Sequence, residues 1–396
     1  MSVLPHAREA VRTLRASKIR EVANAGLGDP AVLPFWFGEP DETTPEFIRR
    51  AAIDALAAGD TFYTHNLGIP ELRDTLAEYV SRLHRPVTRE RIAVTSSGVS
   101  ALMLATEALV GAGDRVVEVT PLWPNLVEQP KILGANVECV PLSFGVAEQG
   151  WSLDLDRLIG ALTPRTRSVY INSPNNPTGW TIDRASQRAI LDHCRRHGIW
   201  IVADDAYERL FYDGPDGASV PAPSFLDIAE PDDRLLSTNT FSKSWLMTGW
   251  RLGWIVAPEP LVPDLGVLIE YNTSCAPGFV QRAGVTAVLD GEPVVAHTVE
   301  RLRKARDFLV PRLAAMPGVE VVAPPGAMYV FFRVHGMADS LAFAKRLVRE
   351  AKLGLAPGIA FGPEGEGFLR WCFAASESRL ADGADRLERF LRGRPA

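Results

Sequence analysis

Cysteine is scarce in this chain. Only four of its 396 residues are cysteine, at 139, 194, 275 and 372, and no two form a Cys-x-x-Cys pair. That spacing argues against a disulfide framework and against structural zinc, and fits the reduced thiols of a cytoplasm. A basic surplus is missing too. The net charge is −6, which speaks against a nucleic-acid partner. No apolar run approaches the roughly 18 residues that cross a bilayer, so no membrane partner is expected. The opening Met1-Ser2-Val3-Leu4-Pro5-His6 has no apolar signal core. Arg8, Arg12, Arg15, Lys18 and Arg20 imitate a transit peptide, but Glu9 and Glu21 interrupt them. We therefore expect a cytoplasmic protein. No internal repeat or low-complexity tract occurs.

What the chain does contain is apolar material in quantity. Hydrophobic residues make up 46% and charged residues 23%, a globular composition, and 396 residues exceed one ordinary core. Seven short runs read as strands: 91–95, 115–120, 137–142, 168–173, 199–204, 235–240 and 251–256. Several are apolar at nearly every position, as strands buried on both faces must be. Helical patterns such as 99–110 and 183–196 fit between them, with Asp183 as a cap. The alternation implies an α/β fold with a largely parallel sheet. Near residue 285 the texture changes to a long helical pattern over 294–316, strands at 319–322, 328–334 and 368–373, and helices over 340–351 and 377–392. We expect residues 46–284 to form a large domain and 285–396 a smaller α+β domain. Residues 1–45 look irregular and are expected to join the smaller one.

Charged residues stand at the ends of the apolar runs. Lys243 follows Thr240-Phe241-Ser242, and Arg251 lies in Gly249-Trp250-Arg251-Leu252-Gly253. Asp204 closes Ile199–Ala203, with Tyr207 three residues on. Lysine, acid and arginine at strand ends are the parts that hold pyridoxal phosphate. The amine forms a Schiff base with the cofactor aldehyde, the acid keeps the pyridine nitrogen protonated, and the arginine fork grips the phosphate. An amine among apolar flanks has a lowered pKa and is the better nucleophile. Taken singly, each motif has a plainer reading. Ser96-Ser97-Gly98-Val99 is a phosphate cradle or a simple strand–helix turn. Ser173-Pro174-Asn175-Asn176-Pro177-Thr178-Gly179 is a ligand loop or a Pro/Gly-rich turn. Asp204 is a cofactor acid or a helix cap. Asp204 and Asp205 lack a nearby histidine, so no metal site is expected.

In their order, the motifs Asn176-Pro177-Thr178-Gly179, Asp204-Asp205-Ala206-Tyr207, Ser242-Lys243 and Gly249-Trp250-Arg251-Leu252-Gly253 resemble the class I and II aminotransferases, and the likeness runs from Gly38-Glu39-Pro40-Asp41 to Arg370. The resemblance implies a fold-type I pyridoxal-phosphate transferase, with a mostly parallel seven-stranded sheet in the large domain. It implies that Lys243 bonds the cofactor and shuttles the substrate proton. Asp204 would pair with the pyridine nitrogen, and Asn176 and Tyr207 with the phenolic oxygen. Ser97, Gly98, Val99, Thr240, Ser242 and Arg251 would surround the phosphate, with Trp123 stacked on the ring. Tyr63 would reach the phosphate of a second subunit, which makes the active unit a homodimer. Arg370 and Gly38 would hold the substrate α-carboxylate.

The implied reaction is amino transfer between an L-amino acid and a 2-oxo acid, by a ping-pong route. Val99 stands where prokaryotic aspartate aminotransferases look to have a lysine for the second carboxylate. With Trp36 and Leu122 as further apolar surface, a neutral or aromatic donor is favoured over aspartate. Three alternatives stay open: an aspartate aminotransferase, a lyase or decarboxylase using the same cofactor, and a non-catalytic cofactor-binding regulatory domain.

Overall fold

A computed structural model describes residues 6–146, 150–212, 214 and 220–393. Met1–Pro5, on which part of the targeting argument rests, lie outside the described residues. The seven apolar runs become β1 (Ile92–Thr95), β2 (Arg115–Thr120), β3 (Asn136–Pro141), β4 (Thr166–Asn172), β5 (Trp200–Asp204), β6 (Leu235–Thr240) and β7 (Gly253–Val256). They form one sheet in the order β1-β7-β6-β5-β4-β2-β3. Pairing is parallel except at β7, which runs antiparallel to both β1 and β6. Both faces are covered. Val117, Val119, Val169 and Ile201 face one buried cluster, and Val116, Tyr170, Val202 and Ile255 face the other. This two-sided burial is why the strands read as continuous apolar runs.

Register brings the chemistry to one rim. Asn172 is level with Asp204, Asp204 with Thr238, and Thr240 with Gly253. In a parallel sheet the strand carboxyl ends share one edge, the usual place for ligands in open α/β sheets.

A second sheet, β8 (Val319–Glu320), β9 (Tyr329–Val334), β10 (Ala356–Pro357) and β11 (Phe368–Cys372), has the order β8-β9-β11-β10 and is antiparallel throughout. The long helix Glu292–Ala314 and the closing helix Glu377–Arg392 belong to this part of the chain. No helix among the described residues is long and apolar enough to cross a membrane.

The first 45 residues are more ordered than expected. Lys18–Ala25 forms α1, capped by Ser17, whose side chain accepts from the Arg20 amide. Only Ile19, Val22 and Ala23 are buried, so a mostly polar sequence hides a narrow apolar stripe. Downstream, Leu33–Pro34 pairs in parallel with Leu353–Gly354.

Candidate active site

One cavity of about 450 Å³ opens at the carboxyl rim of the large sheet and extends to β9 and β11 of the small one. Gly38, Gly98, Val99, Trp123, Asn176, Asp204, Tyr207, Thr240, Ser242, Lys243, Arg251 and Arg370, scattered over 333 positions of sequence, line it together.

Lys243 sits in the short helical turn Phe241–Ser244 that follows β6, fixed by the Thr240 hydroxyl accepting from the Ser242 amide at 3.2 Å. Its Nζ donates to the Gly38 carbonyl at 2.6 Å and lies 5.7 Å from the Tyr207 ring centroid. Removal from water pushes its pKa down to about 8, and Arg370 and Arg251 push the same way. Asp204, at the end of β5, is buried, and among the described residues its carboxylate accepts a hydrogen bond from the Ala206 amide alone, at 3.3 Å. Burial raises its pKa to about 7, although the Ala206 amide and Lys243 pull it down. An amine and a carboxyl so placed exchange protons near neutral pH, where ordinary lysines and aspartates do not.

Tyr207 carries a shared hydroxyl. It takes a hydrogen bond from Asn176 Nδ2 at 3.3 Å and lies 2.8 Å from the Tyr329 hydroxyl. Arg370, from the middle of β11, is buried between aromatic faces. Its guanidinium carbon is 4.4 Å from the Tyr329 ring centroid and 4.9 Å from that of Phe361. Nη1 donates to Asn176 Oδ1 at 2.9 Å and Nη2 to the Trp36 carbonyl, while Nε is unpartnered among the described residues. No carboxylate pairs with it there, so this buried cation has its free donor ready for an incoming anion.

The start of the helix Gly98–Leu109 forms a backbone cradle. Ser97 caps it by accepting from the Ser100 amide at 3.0 Å. A Cβ at Gly98 would come 2.9 Å from the Thr240 Cβ, and one at Gly253 would come 2.6 Å from the Gly98 nitrogen. Glycine is needed at both places for the helix start to close on β6 and β7. Thr240, Ser242 and Arg251 line the cavity beside these amides, a donor set that suits a phosphate.

Some expectations fall elsewhere. Ser97 is a cap and does not line the cavity. The Trp36 ring is not a wall: it fills the slot left by Gly354 and Gly26, and a Cβ on Gly354 would lie 2.1 Å from it. Only its carbonyl serves the site. Leu122 is fully buried in the core cluster behind the sheet, its amide held by the Phe361 carbonyl at 2.9 Å. Tyr63 is 90% exposed and does not line this chain's own cavity. Conversely, Ser17, Ile19, Arg20, Phe37, Leu102 and Tyr329 do line it and were not anticipated. The described residues contain no group of three or more His, Cys, Asp or Glu placed to hold a metal.

The family model "Aminotransferase class I and II" matches residues 31–387. The aspartate aminotransferase of Pyrococcus horikoshii is 35% identical over 97% of this chain and 97% of its own. Aromatic-amino-acid aminotransferase 2 of Thermococcus litoralis is 31% identical over 97% and 98%. A solved Thermus thermophilus aspartate aminotransferase, a single mutant, superposes with a TM-score of 0.89 at 31% identity, covering 98% of this chain and all of that one.

Proposed function

Since the chain belongs to the class I and II aminotransferase family, we propose that its cavity moves an amino group between a neutral L-amino acid, aromatic or large aliphatic by preference, and a 2-oxo acid. The protein is an enzyme, a pyridoxal-phosphate-dependent aminotransferase. The observation that carries the reading is the meeting of Lys243, Asp204 and Arg370, from two sheets, in one cavity.

The residues present fit the cofactor. The Gly98 cradle with Thr240, Ser242 and Arg251 would hold its phosphate. Asp204, buried and with its carboxylate bonded to one amide among the described residues, would hold a proton on the ring nitrogen. Asn176 and Tyr207 would donate to the phenolic oxygen, and Trp123 would cover one ring face. When bound, pyridoxal phosphate supplies the carbon that accepts the amino group and a ring that draws electrons from the substrate α-carbon. Arg370 and the Gly38 amide grip the α-carboxylate and set the α-carbon within reach of Lys243. Lys243 Nζ, with its lowered pKa, takes that proton and returns it. Phe37, Val99 and Leu102 make the side-chain end of the cavity apolar. There a buried ring gains about 2 kcal/mol, whereas an unpaired carboxylate costs several.

Mixing loaded enzyme with a donor and no acceptor tests the chemistry. One 2-oxo acid per site should appear without ammonia; ammonia released alongside it would assign elimination, and carbon dioxide in its place decarboxylation. With one acceptor, kcat/KM for phenylalanine and leucine should exceed that for aspartate by about tenfold. If aspartate leads by that factor, Val99 does not set specificity and an aspartate aminotransferase is the better description. Arg370→Lys keeps charge but loses the planar fork. It should lower kcat/KM by about a hundredfold, equally for every donor, since all share the α-carboxylate. A loss confined to acidic donors would assign Arg370 to the side chain.

We assign the active unit as a homodimer. Phe62, Tyr63 and Tyr271 are 82%, 90% and 87% exposed, more aromatic surface than a lone chain usually leaves in water, and Tyr63 would complete a second subunit's phosphate site. A monomeric sedimentation coefficient for the active enzyme would contradict this. The division into 46–284 and 285–396, the latter joined by 1–45, is proposed on the two sheets; limited proteolysis cutting far from residue 284 would contradict it.

A further inference from the structure

The turn that follows β5 reads Asp204-Asp205-Ala206-Tyr207-Glu208, with three acids, and all three are buried. Asp204 belongs to the cofactor ring in the reading above. Glu208 does not line the cavity, and a carboxylate taken out of water needs a charged partner. Its partner is His84, at the end of the helix Pro70–Leu83, with a side chain only 1% exposed. His84 Nε2 lies 3.1 Å from Glu208 Oε2, and Nδ1 lies 2.6 Å from Asp227 Oδ1. A neutral imidazole has one N–H and would turn a bare nitrogen toward one of these carboxylates. The geometry therefore calls for a proton on each nitrogen. Burial alone would lower the pKa of the ring, but the Asp227 and Glu208 carboxylates outweigh it and raise the value to about 10. Asp227 has a second cation, Arg184, at 2.5 Å. Glu208 has His84 alone among the described residues.

From Glu208 the bonding runs on to the cavity. Glu208 Oε1 accepts from Asn239 Nδ2 at 2.8 Å, and Asn239 Oδ1 accepts from the Thr240 amide at 2.7 Å. The Thr240 hydroxyl in turn accepts from the Ser242 amide, and both residues line the cavity with Gly98. We propose that His84 is a positioning residue, a buried imidazolium that anchors the Glu208 carboxylate and, through Asn239, sets Thr240 and Ser242 for the cofactor phosphate. The inference rests on the pyridoxal-phosphate reading and deepens it, since it ties the phosphate cradle to a cation outside the cavity. Without that cation the Glu208 carboxylate would be buried unpaired. It would turn toward water and leave Asn239 without its acceptor, and Thr240 would lose its fixed place.

Ligand binding to the cofactor-free protein tests this. His84→Gln should raise the Kd for pyridoxal phosphate by about tenfold, the scale of one lost hydrogen bond to a charged group, and leave the Kd for pyridoxal, which lacks the phosphate, within about twofold. Adding Glu208→Gln to His84→Gln removes the stranded charge and should recover most of the loss. A general loosening of the fold would weaken both ligands alike. Ring-nitrogen NMR of the wild type needs no variant to fold. At about pH 8, where an ordinary histidine is neutral, both nitrogens of His84 should be protonated. Equal weakening of pyridoxal phosphate and pyridoxal, an unchanged Kd for pyridoxal phosphate, a double variant as weak as the single one, or a neutral His84 ring would each overturn the proposal. A wild-type protein that binds no pyridoxal phosphate would overturn the cofactor reading and this inference with it.

Discussion

Lys243→Ala should lower kcat by about four orders of magnitude and leave the chain folded, because in the proposed reading it removes both the cofactor's anchor and the group that carries the substrate proton. No other side chain in the cavity can take over. Asp204 is given to the ring nitrogen in the proposed reading. Tyr207 has its proton held tightly, since burial and the adjoining Tyr329 keep its pKa well above that of a free tyrosine. Arginines stay protonated. Folding should not suffer. Among the described residues the amine makes a single hydrogen bond, to the Gly38 carbonyl, and its lowered pKa means the fold bears a cost for keeping it charged. Steady-state rates, a thermal melt and the visible absorbance of the lysine-bound cofactor read the three parts of the result. Turnover within about tenfold of wild type would remove Lys243 from the chemistry.

The second large effect is at Asp204. Asp204→Ala should lower kcat by about a thousandfold, the scale of losing one fixed electrostatic partner of a reacting group. Asp204→Glu should keep more activity. Near-normal rates in both would reduce Asp204 to a cap for the Ala206 amide. The cofactor-free protein gives an independent reading. Burial raises the Asp204 pKa from 3.8 to about 7, so the folded chain holds this proton longer than the unfolded one. The wild type therefore loses stability as pH rises through that window. Asp204→Asn cannot ionise and escapes the loss. Its advantage in melting temperature should grow from about pH 4 to about pH 7 and then level off. A constant difference across that range would mean the carboxyl is not desolvated in solution.

Much of this was legible in the sequence, for a physical reason. A strand buried on both faces is lined by apolar and small or neutral polar residues, as in Leu235–Thr240, so a full charge at its end is conspicuous. Asp204 and Lys243 stand out in that way. Strand direction was less visible. Only twelve residues separate Thr240 from Gly253, and the turn Phe241–Ser244 and the short helix Thr248–Trp250 both lie among them. That connection has no room for a full crossover helix, so β7 returns antiparallel. Tyr329 was hidden because its meaning lies in a contact with Tyr207, 122 positions away, and no local pattern announces it. Arg20 was read as one of several basic residues in an irregular arm, since α1 buries only three side chains. Trp36 misled in the opposite direction. Proximity to Gly38 put an aromatic near the pocket, but the slot between two glycines captured the ring.

Two contacts join the halves of the cavity, Arg370 to Asn176 and Tyr207 to Tyr329, and a third ties Lys243 to the Gly38 carbonyl of the N-terminal segment. The last must break when Lys243 turns to its partner, and an arriving α-carboxylate competes for the first. The protein is thus latched by the very groups to which the proposed chemistry falls. Its breathing motions should be smallest when empty or when saturated with a carboxylate ligand, and largest in between. Amide hydrogen exchange along β11 and the Asn176 loop should follow that order.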